Sequence, residues 1–212
     1  MSKVILVAVV ACGFTVAAGQ ASGQCIENSP ERRGEEGCTI LENKPLLGPV
    51  TKPLYWHIDR FDSLEGARAV AGRDSVAAEA HGSVWLMSVE PQTDDHRGGR
   101  HVAMVGPLAL PPAAGYSMQV MSALFKPGTA SGVHNHPGPE VFYMVAGEQC
   151  LETPQGGYRT GVGQAHVAQA GVPMRVKATG STLRRALVLI LHDAAHPAIH
   201  SLEEQATVVA CN

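Results

Sequence analysis

Two histidines and a glutamate stand in one short stretch, His134-Asn-His136 followed by Pro137-Gly138-Pro139 and Glu140, with Gly128 before them and Gly147 after. Two neutral imidazoles and one carboxylate are a ligand set for a non-heme iron or similar divalent ion, held on one face with other positions open. A strand repeats every two residues, so His134 and His136 point to the same side of a sheet. The Pro137–Pro139 insert interrupts the ladder and lets Glu140 turn back to that side as a new strand begins. That strand, Glu140 to Ala146, is rich in β-branched and aromatic residues. Loop histidines and strand-opening glutamates are commonly just solvated, but here all the spacings agree.

These residues resemble the first motif of the cupin superfamily, in which glycine, two histidines, glutamate and a closing glycine fall at the spacing of Gly128, His134, His136, Glu140 and Gly147. The second cupin motif is matched in part. Gly163 and Gly171 fit, but Gln169 replaces the proline, Met174 replaces the histidine that is usually the fourth ligand, and Ala178 replaces the asparagine. The likeness spans about residues 100–192 and extends to small exported bacterial cupins. It implies an all-β jelly-roll barrel (a double-stranded β-helix) with the site inside and partly shielded from water. The metal would be Fe, Mn, Ni, Cu or Zn, and pairing of barrels into a homodimer is expected by analogy. The fold hosts many unrelated functions, so the reaction does not follow from it.

Met174 bears on what such a site could be. As a ligand its thioether would favour Cu(I); as a core residue it would fill space beside the ion. His166 and Tyr143 are candidates for the substrate pocket, with Phe142 and Tyr143 alternating on the motif strand so that only one of them faces inward. The histidines of the tail, His192, His196 and His200, recur every four residues, but Pro197 disfavours a helix there, and they read as surface residues after the last strand. His96 and His101 flank Gly98-Gly99 and read as solvated.

Composition sets the frame for these groups. The chain has 212 residues, suited to one domain with a real core; 45% are apolar and only 5% aromatic, so aliphatic side chains must fill the interior. The formal charge is −3 and no basic stripe is present, so nothing argues for nucleic acid or an anionic membrane surface; the partner the resemblance implies is a small-molecule ligand or substrate. Residues 1–21 read as a cleavable leader: Lys3, an apolar run from Val4 to Ala18, then small residues to Ala21, with cleavage after Ala18 or Gly23 as alternatives. The run is shorter than the roughly 20 residues of a membrane span. The expected location is therefore outside the cytoplasm, secreted or periplasmic, with no membrane span once the leader is removed. Four cysteines remain, and of three pairings Cys25–Cys38 and Cys150–Cys211 are favoured.

Residues 22–50 read as an N-terminal arm without sustained period, and residues 51–212 as the barrel domain. Strands are expected at Leu54–Ile58, Ser75–Ala80, Ser83–Val89, Arg100–Val105 and Tyr116–Phe125. Further strands are expected at Cys150–Thr153, Tyr158–Gly161, Ala165–Ala168, Val172–Ala178 and Leu183–Leu191. Asp62–Ala71 is the one short helix, capped by Asp62 or Ser63 and stopped at Gly72. The expected activity is that of an exported metal-binding oxidoreductase of the dioxygenase kind, acting on a small oxygenated molecule. The alternatives are a non-catalytic binder of a sugar or organic acid, and a metal-assisted isomerase or lyase needing His166 or Tyr143 as base.

Overall fold

The structure is a computed structural model, and it describes residues 26–27, 36–47, 50–202 and 207–211. The leader and Cys25 lie outside the described residues. In chain order the strands are β1 (Ile26–Glu27), β2 (Gly37–Pro45), β3 (Tyr55–Phe61), β4 (Ser75–Ala80), β5 (Ser83–Glu90), β6 (Arg100–Val105), β7 (Tyr116–Phe125) and β8 (His134–Asn135). They continue with β9 (Glu140–Ala146), β10 (Glu148–Thr153), β11 (Gly156–Gly161), β12 (Ala165–Ala168), β13 (Arg175–Thr179), β14 (Arg184–Asp193) and β15 (His200–Ser201). Helix α1 (Leu64–Val70) joins β3 to β4. Ser63 caps it, accepting from the Gly66 N–H at 3.0 Å.

A six-stranded sheet in the order β1-β2-β7-β14-β9-β12 is the middle layer. One of its faces meets the four-stranded sheet β4-β5-β3-β6, and the other faces the three-stranded sheet β11-β10-β13. Period-two alternation divides the middle strands between two cores. Val141 and Tyr143 of β9, with Leu187, Leu189 and Leu191 of β14, pack against Trp56, Ile58, Trp85 and Met87. Phe142 and Met144, with Ala186, Val188 and Ile190, pack toward Leu151, Met174 and Val176. The second face carries the metal motif, because Glu140 shares the parity of Phe142.

Most expected strands are found within a residue or two, including the hairpin of β4 and β5 around His81-Gly82, where His81 has a φ of 52°. The expected arm is corrected: Gly37 to Pro45 forms a nine-residue strand paired antiparallel with β7. A register shift between Ile40 and Glu42 breaks its alternation, which hides the strand from periodicity. The expected strand from Val172 starts only at Arg175, after Pro173. Strands β10 and β11 turn at Pro154-Gln155, since Gly156 already pairs with Thr153. Cys150 and Cys211 form a disulfide, as expected, which fastens the tail beside β10 and β11. Among the described residues no helix is long and apolar enough to cross a membrane.

Candidate metal centre

His134 opens β8, whose backbone pairs with that of Met174 in both directions: the His134 N–H donates to the Met174 carbonyl at 3.0 Å and the Met174 N–H returns to His134 at 2.8 Å. This two-way bond fixes the first histidine. The second is fixed from the tail, where the Ala198 carbonyl accepts from His136 Nδ1 at 2.5 Å. The Gly132 carbonyl accepts likewise from His134 Nδ1 at 2.9 Å. A carbonyl carries no proton, so each Nδ1 must, and in the neutral ring Nε2 keeps its lone pair for an ion. The rings stand nearly perpendicular, with centroids 5.0 Å apart and planes at 81°.

Glu140 is brought to them by the insert. Gly138 passes so close to β14 that a Cβ there would sit 1.9 Å from the Leu191 carbonyl oxygen, and the Leu191 N–H donates to the Pro139 carbonyl at 3.1 Å. The insert is thereby pressed against a strand bonded on both sides, and Glu140 starts β9 pointing inward. Its Oε2 lies 3.1 Å from His136 Nε2, near enough for attraction but off the line a hydrogen bond requires. Both atoms are thus buried with no hydrogen-bond partner. One donor atom from each of the three residues falls within 4.8 Å of the others, and all three side chains are buried. Such orphaned donors are costly without a partner. The residues present fit a divalent ion.

Electrostatics separate the three groups. Burial holds the His134 imidazole below the usual histidine range against the pull of Glu140. For His136 burial acts the same way, but the charge of Glu140, its proximity and the Ala198 carbonyl together outweigh it and raise the pKa. Burial pushes the Glu140 carboxyl up, yet His136, His134 and Arg184 together bring it below its ordinary value. These shifts favour a charged carboxylate at Glu140 and a neutral imidazole at His134.

A cavity of about 440 Å³ opens onto the donors, lined among others by Gln119, Met121, Phe142, Val188 and Ile190. Arg184 also lines it. This arginine is buried, with a pKa lowered to about 10 by desolvation, which Glu140 opposes. Its Nε and Nη2 donate to Gln149 Oε1 at 2.9 and 2.5 Å, and its guanidinium lies 5.2 Å from the Phe125 ring centre. Nη1 has no partner. Only its parity on β14, shared with Val188 and Ile190, marks Arg184 as inward.

The structure sorts the remaining candidates. Met174 joins the second core and does not line the cavity, consistent with space-filling beside the site. Tyr143 packs in the first core, on the far side of the middle sheet, so Phe142 is the inward member of that pair. His166 sits on edge strand β12 with its ring 5.2 Å from that of Tyr158, and burial lowers its pKa. Neither Tyr143 nor His166 lines the cavity. His192, expected at the surface, is buried at the end of β14 with Nε2 unpartnered, while His196 and His200 are exposed. His101 is exposed, as expected, whereas His96 is half-buried, and both gather on Asp59.

A complete first motif on adjoining strands between two packed sheets is the arrangement that the resemblance to the cupins implies, and the fold is all-β. No protein-family model matches the chain and no curated protein does. Similar solved structures include a protein from Thermus thermophilus, 29% identical over 34% of this chain and 70% of that one, with a TM-score of 0.32. A cupin superfamily protein from Desulfitobacterium hafniense is 14% identical over 36% of this chain and 68% of that one, with a TM-score of 0.34. A DMSP lyase from Ruegeria pomeroyi is 21% identical over 42% of this chain and 45% of that one, with a TM-score of 0.37.

Proposed function

We propose that this protein is an exported, divalent-metal-dependent oxidoreductase of the dioxygenase kind, acting on a small carboxylate-bearing molecule. The observation that carries the reading is the pair of imidazoles whose Nδ1–H groups are tied to the Gly132 and Ala198 carbonyls, beside a buried carboxylate oxygen with no hydrogen-bond partner. His134, His136 and Glu140 would hold the ion, which when bound supplies Lewis acidity and open positions for substrate and dioxygen. Arg184 gives the site its substrate class. A buried guanidinium with a free Nη1 favours a small anion, and the apolar lining from Met121, Phe142, Val188 and Ile190 favours one with a hydrocarbon body.

The lyase or isomerase reading is less well supported. Such chemistry needs a base, and His166 and Tyr143 are both directed elsewhere. Export rests on the leader-like first residues and is supported by the Cys150–Cys211 disulfide, since such bonds persist in oxidising compartments.

Elemental analysis of the protein isolated from its exported form tests the metal. His136→Ala is expected to lose the ion that wild type carries in this centre, and full occupancy in that variant would refute the assignment. Oxygen uptake with a panel of small aromatic and aliphatic acids tests the reaction. Turnover of such an acid without oxygen consumption would favour a lyase, and tight binding without turnover a carrier.

A further inference from the structure

A second trio of donors lies on the other sheet. Asp59 of β3 is the cross-strand partner of His101 on β6, next to a register shift between Ile58 and Asp59. The loop from Pro91 to Gly99 carries His96 over the same carboxylate. His96 Nδ1 is 3.0 Å and His101 Nδ1 3.4 Å from one oxygen, Asp59 Oδ1. The two rings stack with centroids 4.2 Å apart and planes at 29°. Donors about 2.0–2.2 Å from a tetrahedral or octahedral ion stand roughly 3.0–3.5 Å from one another. The two measured separations fall in that range.

Hydrogen bonding accounts for only part of the arrangement: His101 Nδ1 hydrogen-bonds Asp59 Oδ1 at 3.4 Å. His96 Nδ1 is buried, and although it lies near Asp59 it is off the line for a hydrogen bond and has no partner. The Asp59 side chain is only 6% exposed, so its charge is withheld from water. The loop is also held in advance. The Arg97 guanidinium pairs with the Glu90 carboxylate and donates to Ser75 Oγ at 3.0 Å, while its backbone N–H donates to Asp95 Oδ1 at 2.9 Å. Gly99 lets the loop settle: a Cβ there would lie 2.4 Å from the Phe61 ring and 3.1 Å from Asp59 Cβ.

We infer that Asp59, His96 and His101 form a second metal site, separate from the barrel centre, which takes Zn(II) or another imidazole-preferring divalent ion and pins the β5–β6 loop to β3. Two nitrogens and one carboxylate oxygen suit zinc and its neighbours and do not suit the all-oxygen preferences of Ca(II) or Mg(II). The His101 side chain is 40% exposed, which leaves the outer side of the ion to water.

Titration of the chelator-stripped full-length chain with Zn(II), read by calorimetry and elemental analysis, tests the site. His101→Gln, at a half-exposed position, is the variant of choice, with His96→Gln as the second should the first fail to fold. Wild type is expected to bind two ions, His101→Gln and His136→Ala one each, and the double variant none. Zn(II) should raise the melting midpoint of His136→Ala, and Mg(II) should not. Unchanged stoichiometry in folded His101→Gln and His96→Gln would overturn the inference whatever His136→Ala does. Loss of an ion from the His101 variant alone would uphold it and count against the barrel centre instead.

Discussion

Gly138→Ala should disable the barrel centre without touching a donor. The added methyl would lie 1.9 Å from the Leu191 carbonyl oxygen and 2.8 Å from His192 Cα, whereas real Cβ contacts stay beyond 3.0 Å. The loop must therefore retreat by about 1 Å, because β14 is hydrogen-bonded to β7 and β9 and has no freedom to yield. Glu140 is two residues away and would be carried with it. Ligand distances in metal sites tolerate only about ±0.2 Å, so the carboxylate is lost as an effective donor. Disturbing even outer partners of such ligands costs roughly 10- to 100-fold in metal affinity, and the expected loss is at least that. Overpacking should cost about 1–3 kcal/mol of stability, seen as a melting midpoint lower by roughly 2–4 °C per kcal/mol for a chain this size. Gly132→Ala is the control: it also lines the cavity, but its Cβ would meet nothing within 4 Å. Calorimetric metal titration and thermal melts of both variants decide the matter. A Gly138→Ala protein with wild-type affinity and midpoint would refute the claim that contact with β14 positions Glu140.

Two further outcomes are expected. Gln149→Leu removes the acceptor for Arg184 Nε and Nη2, leaving a buried guanidinium short of partners, and should destabilise the fold by about 1.5–3 kcal/mol in urea titration; a change below about 0.5 kcal/mol would mean Arg184 is satisfied in another way. His81 donates from Nε2 to the Ala186 carbonyl at 3.0 Å, and burial holds its pKa below the ordinary histidine value of 6.5. The unfolded chain then takes up the proton first, so this residue's share of stability is present above pH 6.5 and falls as pH drops through 6.5 toward the folded-state value. His81→Asn, tolerated at the positive φ, should flatten the loss of stability between about pH 7 and 5. Parallel slopes for wild type and variant would show that His81 is not the group responsible.

Some of this molecule is written locally and some is not. The spacing from Gly128 to Gly147 announced three donors because neighbouring residues in a strand alternate sides and a Pro137–Pro139 insert can reset that alternation. The Ser63 cap was legible for the same reason, since a cap is made by adjacent residues. β2 was not legible: its charged residues and the shift at Ile40 spoil the pattern, and only pairing with β7 makes Gly37–Pro45 a strand.

The amino-acid order by itself therefore determined the all-β class and the motif whose three donor side chains come together inside it. The tertiary structure alone decided that Arg184 reaches the cavity, that Tyr143 turns away from it, and that Asp59 meets His96 and His101. The physical reason is separation along the chain. Those meetings are made by sheet pairing and by which of two cores a strand face borders, and neither is set by a residue's near neighbours.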